Sequence, residues 1–501
     1  MVVLCLPCAA QAQLPPVGVP GGVIRVELEG SLETFDRRFR AGNRESYAAD
    51  LFSNPLGSDR IPGLAESEAR IGRITGNAGY QLNLGTLTAD AHADVGAGWL
   101  GLSLGVTDNI TVFGRIPLVR SRVQTILGLD PTSANAGLNP GTTDQLTFLS
   151  NMDAALATLS AKLAAGDYDA DPSQRALAEA TLADATALRA DLFGLLADPS
   201  TGSPVLPTTS STAGVALTAR ITTLQATLAN NLSVPGFTLM PALPDSPVTE
   251  TELDQTLSDP AGPVAVQLGE SRVTFRGDAE LGASLTVVDN WDRSVQRGGF
   301  RAAISGLVRF PTGRRERPDD PLDIGTGDGQ TDIQLDAIGD VGRGPLGARI
   351  SGTYVMQRPS NILKRVASPD QPFAGPDRLA QVRRDPGEIL VVSARPFYRL
   401  ARTVALHAGV EHWSHGSDGY TYVSGNELPG IDPNLLTQDS EANATLLSVG
   451  ITYSNPGRLR PGGTGLPVDA SWSYERVLRA SGRVPNSHAV RARFRMYFAV
   501  W

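Results

Sequence analysis

The segment Glu411-His412-Trp413-Ser414-His415 holds the residues best suited to making and breaking bonds. In an extended chain His412 and Ser414 lie two positions apart, so both side chains leave the same face. A histidine base beside a serine hydroxyl is the pairing that activates a nucleophile for ester hydrolysis. Trp413 equally suits the aromatic girdle of a membrane interface, with the histidines in the headgroup zone. Gly101-Leu102-Ser103-Leu104-Gly105 matches the Gly-x-Ser-x-Gly pattern of a nucleophile elbow, which needs a sharp turn from strand into helix. Here the turn residues Thr107-Asp108-Asn109 lead into a second alternating run, so the pattern reads as small residues and leucines on one strand. Asp319-Asp320 and Asp328 with Asp332 fit no calcium-loop spacing. The preferred reading therefore assigns no catalytic residue, no metal and no cofactor.

A second constellation is made of charge. Arg272, Arg276, Arg301, Arg309, Arg349, Arg395, Arg491, Arg493 and Arg495 alternate with apolar neighbours, as do Asp278, Glu280, Asp332, Asp336, Glu411, Asp469 and Glu475. If the apolar neighbours face lipid, these side chains line an aqueous interior with a slight positive excess. The guanidinium suits such a place because it stays charged and pairs with carboxylates through a planar fork. Two roles follow. The pairs brace and fill a narrow barrel, or they form a constriction that filters solutes by charge.

The elements that must hold these residues have period two. Val273, Phe275, Gly277, Ala279, Leu281, Ala283, Leu285 and Val287 alternate with polar partners, whereas a helix would repeat every 3.6 residues. The last run sets Val490, Ala492, Phe494, Met496, Phe498 and Val500 against Arg491, Arg493 and Arg495. A soluble sandwich also alternates. Long strands, with tight turns at 107–109, 342–344 and 401–402 and long loops at 311–330, 358–386 and 414–442, favour an antiparallel transmembrane β-barrel.

Strands are expected at 98–106, 110–121, 271–288, 298–310, 331–341, 346–357, 387–400, 403–413, 443–454, 467–478 and 488–501. Leu87 to Val95 supplies a twelfth; Val23–Glu29 and Glu68–Thr75 would raise the number to fourteen. Leucine spacing turns helical between 123 and 265, as in Leu149, Leu156, Leu159 and Leu163, which predicts a helical extracellular insertion.

Composition agrees. The 501 residues contain 53 Gly and 35 Pro, and 43 basic against 52 acidic side chains give a net charge of -9, which speaks against a nucleic-acid partner. No run of eighteen apolar residues exists, so a spanning helix is excluded and a spanning barrel is not. Residues 1–12 read as an export signal ending at Ala10-Gln11-Ala12, and they contain both cysteines, Cys5 and Cys8. The expected organisation is a signal peptide at 1–12, an extended periplasmic segment at 13–79, first barrel strands at 80–122, the insertion at 123–265 and the rest of the barrel at 266–501.

Gly101 to Val112, continuing to Arg115-Ile116-Pro117-Leu118-Val119, resembles a hairpin of outer-membrane transporters assigned to the phenol-degradation pathway. Phe310-Pro311-Thr312-Gly313 followed by Ile324-Gly325-Thr326-Gly327-Asp328 is similar to that family's Pro-Thr-Gly and Gly-x-Gly loop. The resemblance covers 98–121 and 270–357, and the helical insertion departs from it. It implies an outer-membrane barrel taking up small hydrophobic or aromatic solutes, with outer-membrane lipids and the barrel assembly machinery as partners. The His412/Ser414 pair is similar to that of outer-membrane phospholipases and lipid A deacylases, which implies a lipid hydrolase as the alternative. A barrel presenting its insertion to a surface partner is a further one.

Overall fold

The computed structural model describes residues 18–198, 202–290, 299–401, 403–455 and 466–500. The expected signal segment, Arg402 of the tight turn at 401–402, the connections at 291–298 and 456–465, and Trp501 lie outside the described residues.

Alternation becomes a closed wall. The strands are β1 (Val23–Phe35), β2 (Thr86–Gly105), β3 (Ile110–Asp130), β4 (Glu270–Arg276 and Ala279–Asp289), β5 (Gly299–Phe310) and β6 (Asp332–Arg343). They continue as β7 (Leu346–Gln357), β8 (Ile389–Arg399), β9 (Val404–His415), β10 (Ala442–Asn455), β11 (Val468–Ser481) and β12 (His488–Ala499). Each pairs antiparallel with its neighbours, and β1 pairs with both β2 and β12, so the sheet has no free edge. The two segments of β4 both pair with β3, which makes twelve wall strands.

The expected number is met with a different membership. Leu87–Val95 and the run from 98 are one strand of 20 residues, and the twelfth strand is Val23–Phe35. The segment at 13–79 is therefore not simply a periplasmic extension. Arg25, Glu27 and Glu29 of β1 alternate with Ile24, Val26 and Leu28, and the wall closes through them. Glu68–Thr75 is no strand. It belongs to helix α1 (Ala65–Thr75), whose Ile71 and Ile74 are buried three apart.

The outward face carries the apolar set. Leu28, Leu100 and Ile116 are register partners across β1, β2 and β3, each between 54% and 58% exposed. Leucines laid side by side on an exterior surface are unfavourable in water and favourable in hydrocarbon. No described helix is long and apolar enough to cross a membrane.

Tight connections at 106–109, 344–345 and around 400–403 gather at one end. Gly21 donates to Asp108 and Val500 to the Gly22 carbonyl at this end, so both termini of the wall lie there. The long connections lie at the other. There β3 runs on to Asp130, so the insertion begins after 130 and not at 123. It contains α2 (Thr142–Ala165), α3 (Pro172–Leu196), α4 (Thr212–Ala226) and α5 (Glu250–Ser258). Asp171 and Ser211 cap α3 and α4, and Thr249 with Glu252 forms a capping box on α5.

This insertion is no loose loop. Its Leu149, Leu159, Leu188, Leu192, Leu217 and Leu228 share one core with Leu87, Ala91, Ala93 and Val123 of the β2–β3 hairpin. The upper half of that hairpin consequently reverses the expected orientation. Its apolar side chains point inward onto the helices, while Asp90, His92 and Asp94 point outward.

Candidate functional site: the charged lumen and its chamber

Inward side chains follow from the same period. Reading across the register, Glu27 faces Gly101, Gly101 faces Arg115, Arg115 faces Glu280, Glu280 faces Arg309 and Arg309 faces Asp332. The charges meet. Arg309 lies 3.0 Å from Glu280 and 2.9 Å from Asp332, and Arg115 pairs with the other Glu280 oxygen. Nearer the tight-turn end Asp340 accepts from Arg301 at 2.9 Å and from Arg349 at 2.6 Å, all three side chains being buried. Arg395 reaches Glu411 and Arg491 reaches Glu475, each at 3.0 Å. Arg493 donates to Glu29 at 2.6 Å, Arg495 pairs with Glu27, and Tyr497 donates to Asp469. Asp336 is held by Ser305, Gln334 and Thr353 at 2.7 to 3.0 Å.

Two expected lining residues are elsewhere. Arg272 and Arg276 lie on the exposed outer face, because the break at Gly277-Asp278 shifts the phase of β4. Asp278 of the break and Glu280 of the lower segment do turn inward; on the upper segment Ser271 and Val273 are the buried residues. Conversely, Arg25, Glu27, Glu29, Arg115 and Asp340 join the lining. Their signal was the same alternation, hidden for the first three by leaving β1 outside the wall. With these changes the positive excess disappears.

A chamber of about 440 Å³ occupies the lumen toward the insertion end. Phe35, Trp99, Val119, Ile389 and Trp413 supply its apolar wall, and Asp278, Glu280, Arg309, Lys364, Arg384 and Arg491 are among its charged groups. Trp413 is 1% exposed and points inward, so it is not a girdle residue. The long loops roof the chamber. Ser360–Arg365, Leu379–Asp385 and Gly419–Tyr422 form a small sheet over it, in which Arg384 pairs with Asp418 at 2.9 Å. From the 311–331 loop Glu316 reaches Lys364 at 2.6 Å. Burial would raise the Glu316 carboxyl, but the Lys364 ammonium leads the groups that overcome it and hold its pKa at about 2. The Glu316 side chain is 31% exposed and is among the residues that line the chamber.

Nearer the tight-turn end the lumen holds a separate, smaller cavity of about 60 Å³, lined by Arg25, Glu27, Arg115, Arg493 and Arg495 together with Ser305, Asp336, Ser351 and Thr353. That is room for a few waters.

His412 and Ser414 do share the outward face. His412 Nδ1 lies 3.0 Å from the Thr445 hydroxyl, and among the described residues no hydrogen bond joins His412 to Ser414. The pairing that would activate the serine is not assembled. Among the described residues no group of three metal-ligating side chains occurs.

No family model matches the chain, and no curated relative matches it. Similar solved structures are barrels. An outer membrane channel from Pseudomonas putida F1 aligns over 97% of this chain and 100% of its own, at 11% identity and a TM-score of 0.44. The translocator domain of the autotransporter NalP from Neisseria meningitidis aligns over 95% and 90%, at 8% identity and a TM-score of 0.32. The TodX monoaromatic hydrocarbon channel, as its deltaS2S3 mutant, aligns over 96% and 91%, at 11% identity and a TM-score of 0.28.

Proposed function

We propose that this chain is an outer-membrane channel for passive uptake of small solutes with an apolar part. The observation that carries the reading is the chamber: a partly apolar cavity inside a wall whose exterior is apolar. Its volume falls in the range of small-molecule sites. Phe35, Trp99 and Trp413 offer ring faces to an aromatic or aliphatic portion, while the charged groups hold water and orient a polar end. The ion-paired lumen nearer the tight-turn end acts as the filter, and solute movement requires the pairs to exchange partners with water. The resemblance of Gly101–Val119 to transporters of the phenol-degradation pathway favours small aromatic solutes.

Swelling of vesicles holding the refolded chain tests this. Small phenolic solutes are expected to enter faster than sugars of similar size, and Trp99→Ala is expected to lower that preference several-fold, since one stacking contact contributes about 0.5–1.5 kcal/mol. Equal entry of phenols and sugars, unchanged by the substitution, would rule the solute class out.

A further inference from the structure

On the outer face of the wall, just beyond the apolar band, arginines of two adjacent strands converge. Arg122 of β3 stands directly opposite Arg272 of β4, Arg120 lies one outward position below Arg122, and Arg276 stands opposite Leu118. Arg120, Arg272 and Arg276 are exposed and form no ion pair among the described residues. Glu270 and Asp94 share this face: Glu270 pairs with Arg122 at 2.8 Å, and Asp94 stands opposite Arg122 on β2, which leaves Arg120 and Arg272 outside any ion pair among the described residues. Like charges directly opposite on one sheet face repel, so this arrangement favours a bridging anion.

Depth identifies the anion. From Ile110 at the tight-turn end to Arg120 the strand climbs ten residues, about 33 Å along its axis and roughly 25 Å along the barrel axis at the usual tilt. That is the height of the hydrocarbon band of such barrels. Outward residues below are apolar: Val112, Ile116 and Leu118. The arginines therefore stand at the headgroup level of the leaflet on the insertion side, with acyl-chain contacts directly beneath them.

We propose that Arg120, Arg122 and Arg272 form a binding site for the phosphate of a lipid headgroup, with Arg276 at its rim. The site rests on the membrane-spanning reading of the barrel but not on solute conduction. Guanidinium forks suit phosphate oxygens, and Leu118 and Ile116 would carry the chain of the same lipid. The occupant is a phosphate on a lipid and not free phosphate, because the apolar surface continuous with the arginines is half of the complementarity.

The test is native mass spectrometry of the refolded full chain in detergent micelles, titrated with dioleoyl phosphatidic acid or dioleoyl phosphatidylcholine. The wild-type chain is expected to retain phosphatidic acid with at least about tenfold preference, and Arg120→Gln/Arg272→Gln to lose most of it. Arg175→Gln, on α3, is expected to keep it. Folding of each variant is read from heat-modifiable gel migration; if the double variant does not fold, Arg272→Gln alone is read the same way. Equal retention by wild type and folded variant overturns the proposal, and so does displacement of the lipid by inorganic phosphate. A barrel that conducts solute without lipid preference sinks this site alone; one that keeps the preference without conducting upholds the site and sinks the channel.

Discussion

Glu29, on the first wall strand, accepts a 2.6 Å hydrogen bond from Arg493 on the last. The two are 464 residues apart in sequence and sit in register, and with Glu27 and Arg495 one position pair below they close the barrel through charge as well as backbone. Both side chains of the Glu29–Arg493 pair are buried.

That seam makes a prediction about stability. Glu29→Ala removes the carboxylate that accepts from the buried Arg493 at 2.6 Å, while Glu27 stands farther off, at 3.7 Å. The expected cost is about 3 kcal/mol, since breaking one half of a buried pair removes compensation and leaves the desolvation penalty. Glu29→Ala/Arg493→Met should recover much of the loss. Urea unfolding of the refolded barrel in micelles checks both, and a double variant no better than the single would contradict the pairing.

The outer face makes another. Leu100 is 58% exposed, and its partner Ile116 lies near the middle of the apolar band. Leu100→Arg is expected to destabilise the vesicle-inserted barrel by about 2–4 kcal/mol, the cost of a charge at mid-bilayer depth. The same substitution in detergent should cost less. Equal small effects in both media would mean that this face does not meet hydrocarbon.

The roof of the chamber should respond to acid. Glu316 is depressed from 4.5 to about 2 in the folded chain, against burial, chiefly by Lys364. A lowered carboxylate pKa contributes stability above the unfolded value, and that contribution is lost as pH falls from about 4.5 toward 2. Limited proteolysis of the 311–331 loop is therefore expected to quicken over that interval, and Glu316→Gln should remove this part of the pH dependence. A loop equally resistant at pH 5 and pH 2 would contradict the coupling.

Much of the wall was legible because its side chains alternate. Gly299–Phe310 and Leu346–Gln357 match the expected bounds within a residue. Alternation says which residues share a face, but not which face is inside. At Leu87 to Val95 the apolar face turned inward because α-helices from the insertion cover it there, a contact between segments distant in sequence. At Arg272 and Arg276 the polar face turned outward because a two-residue break reset the phase, and Gly277-Asp278 gave only a weak sign of it. For His412 and Ser414 the shared face was correct, and the partner Thr445 comes from the next strand, which spacing within one strand does not reveal. The chamber was beyond reach for the same reason. Phe35, Trp99 and Trp413 meet only once the wall closes.

Planar-bilayer recording of the refolded chain tests the central claim most directly. Discrete single-channel currents are expected, small because the cavity beside Glu27 holds only about 60 Å³, with ion selectivity shifted by Glu27→Gln. A barrel that inserts, migrates as folded protein and carries no current under any applied voltage would contradict a channel and leave the lumen charges as bracing alone.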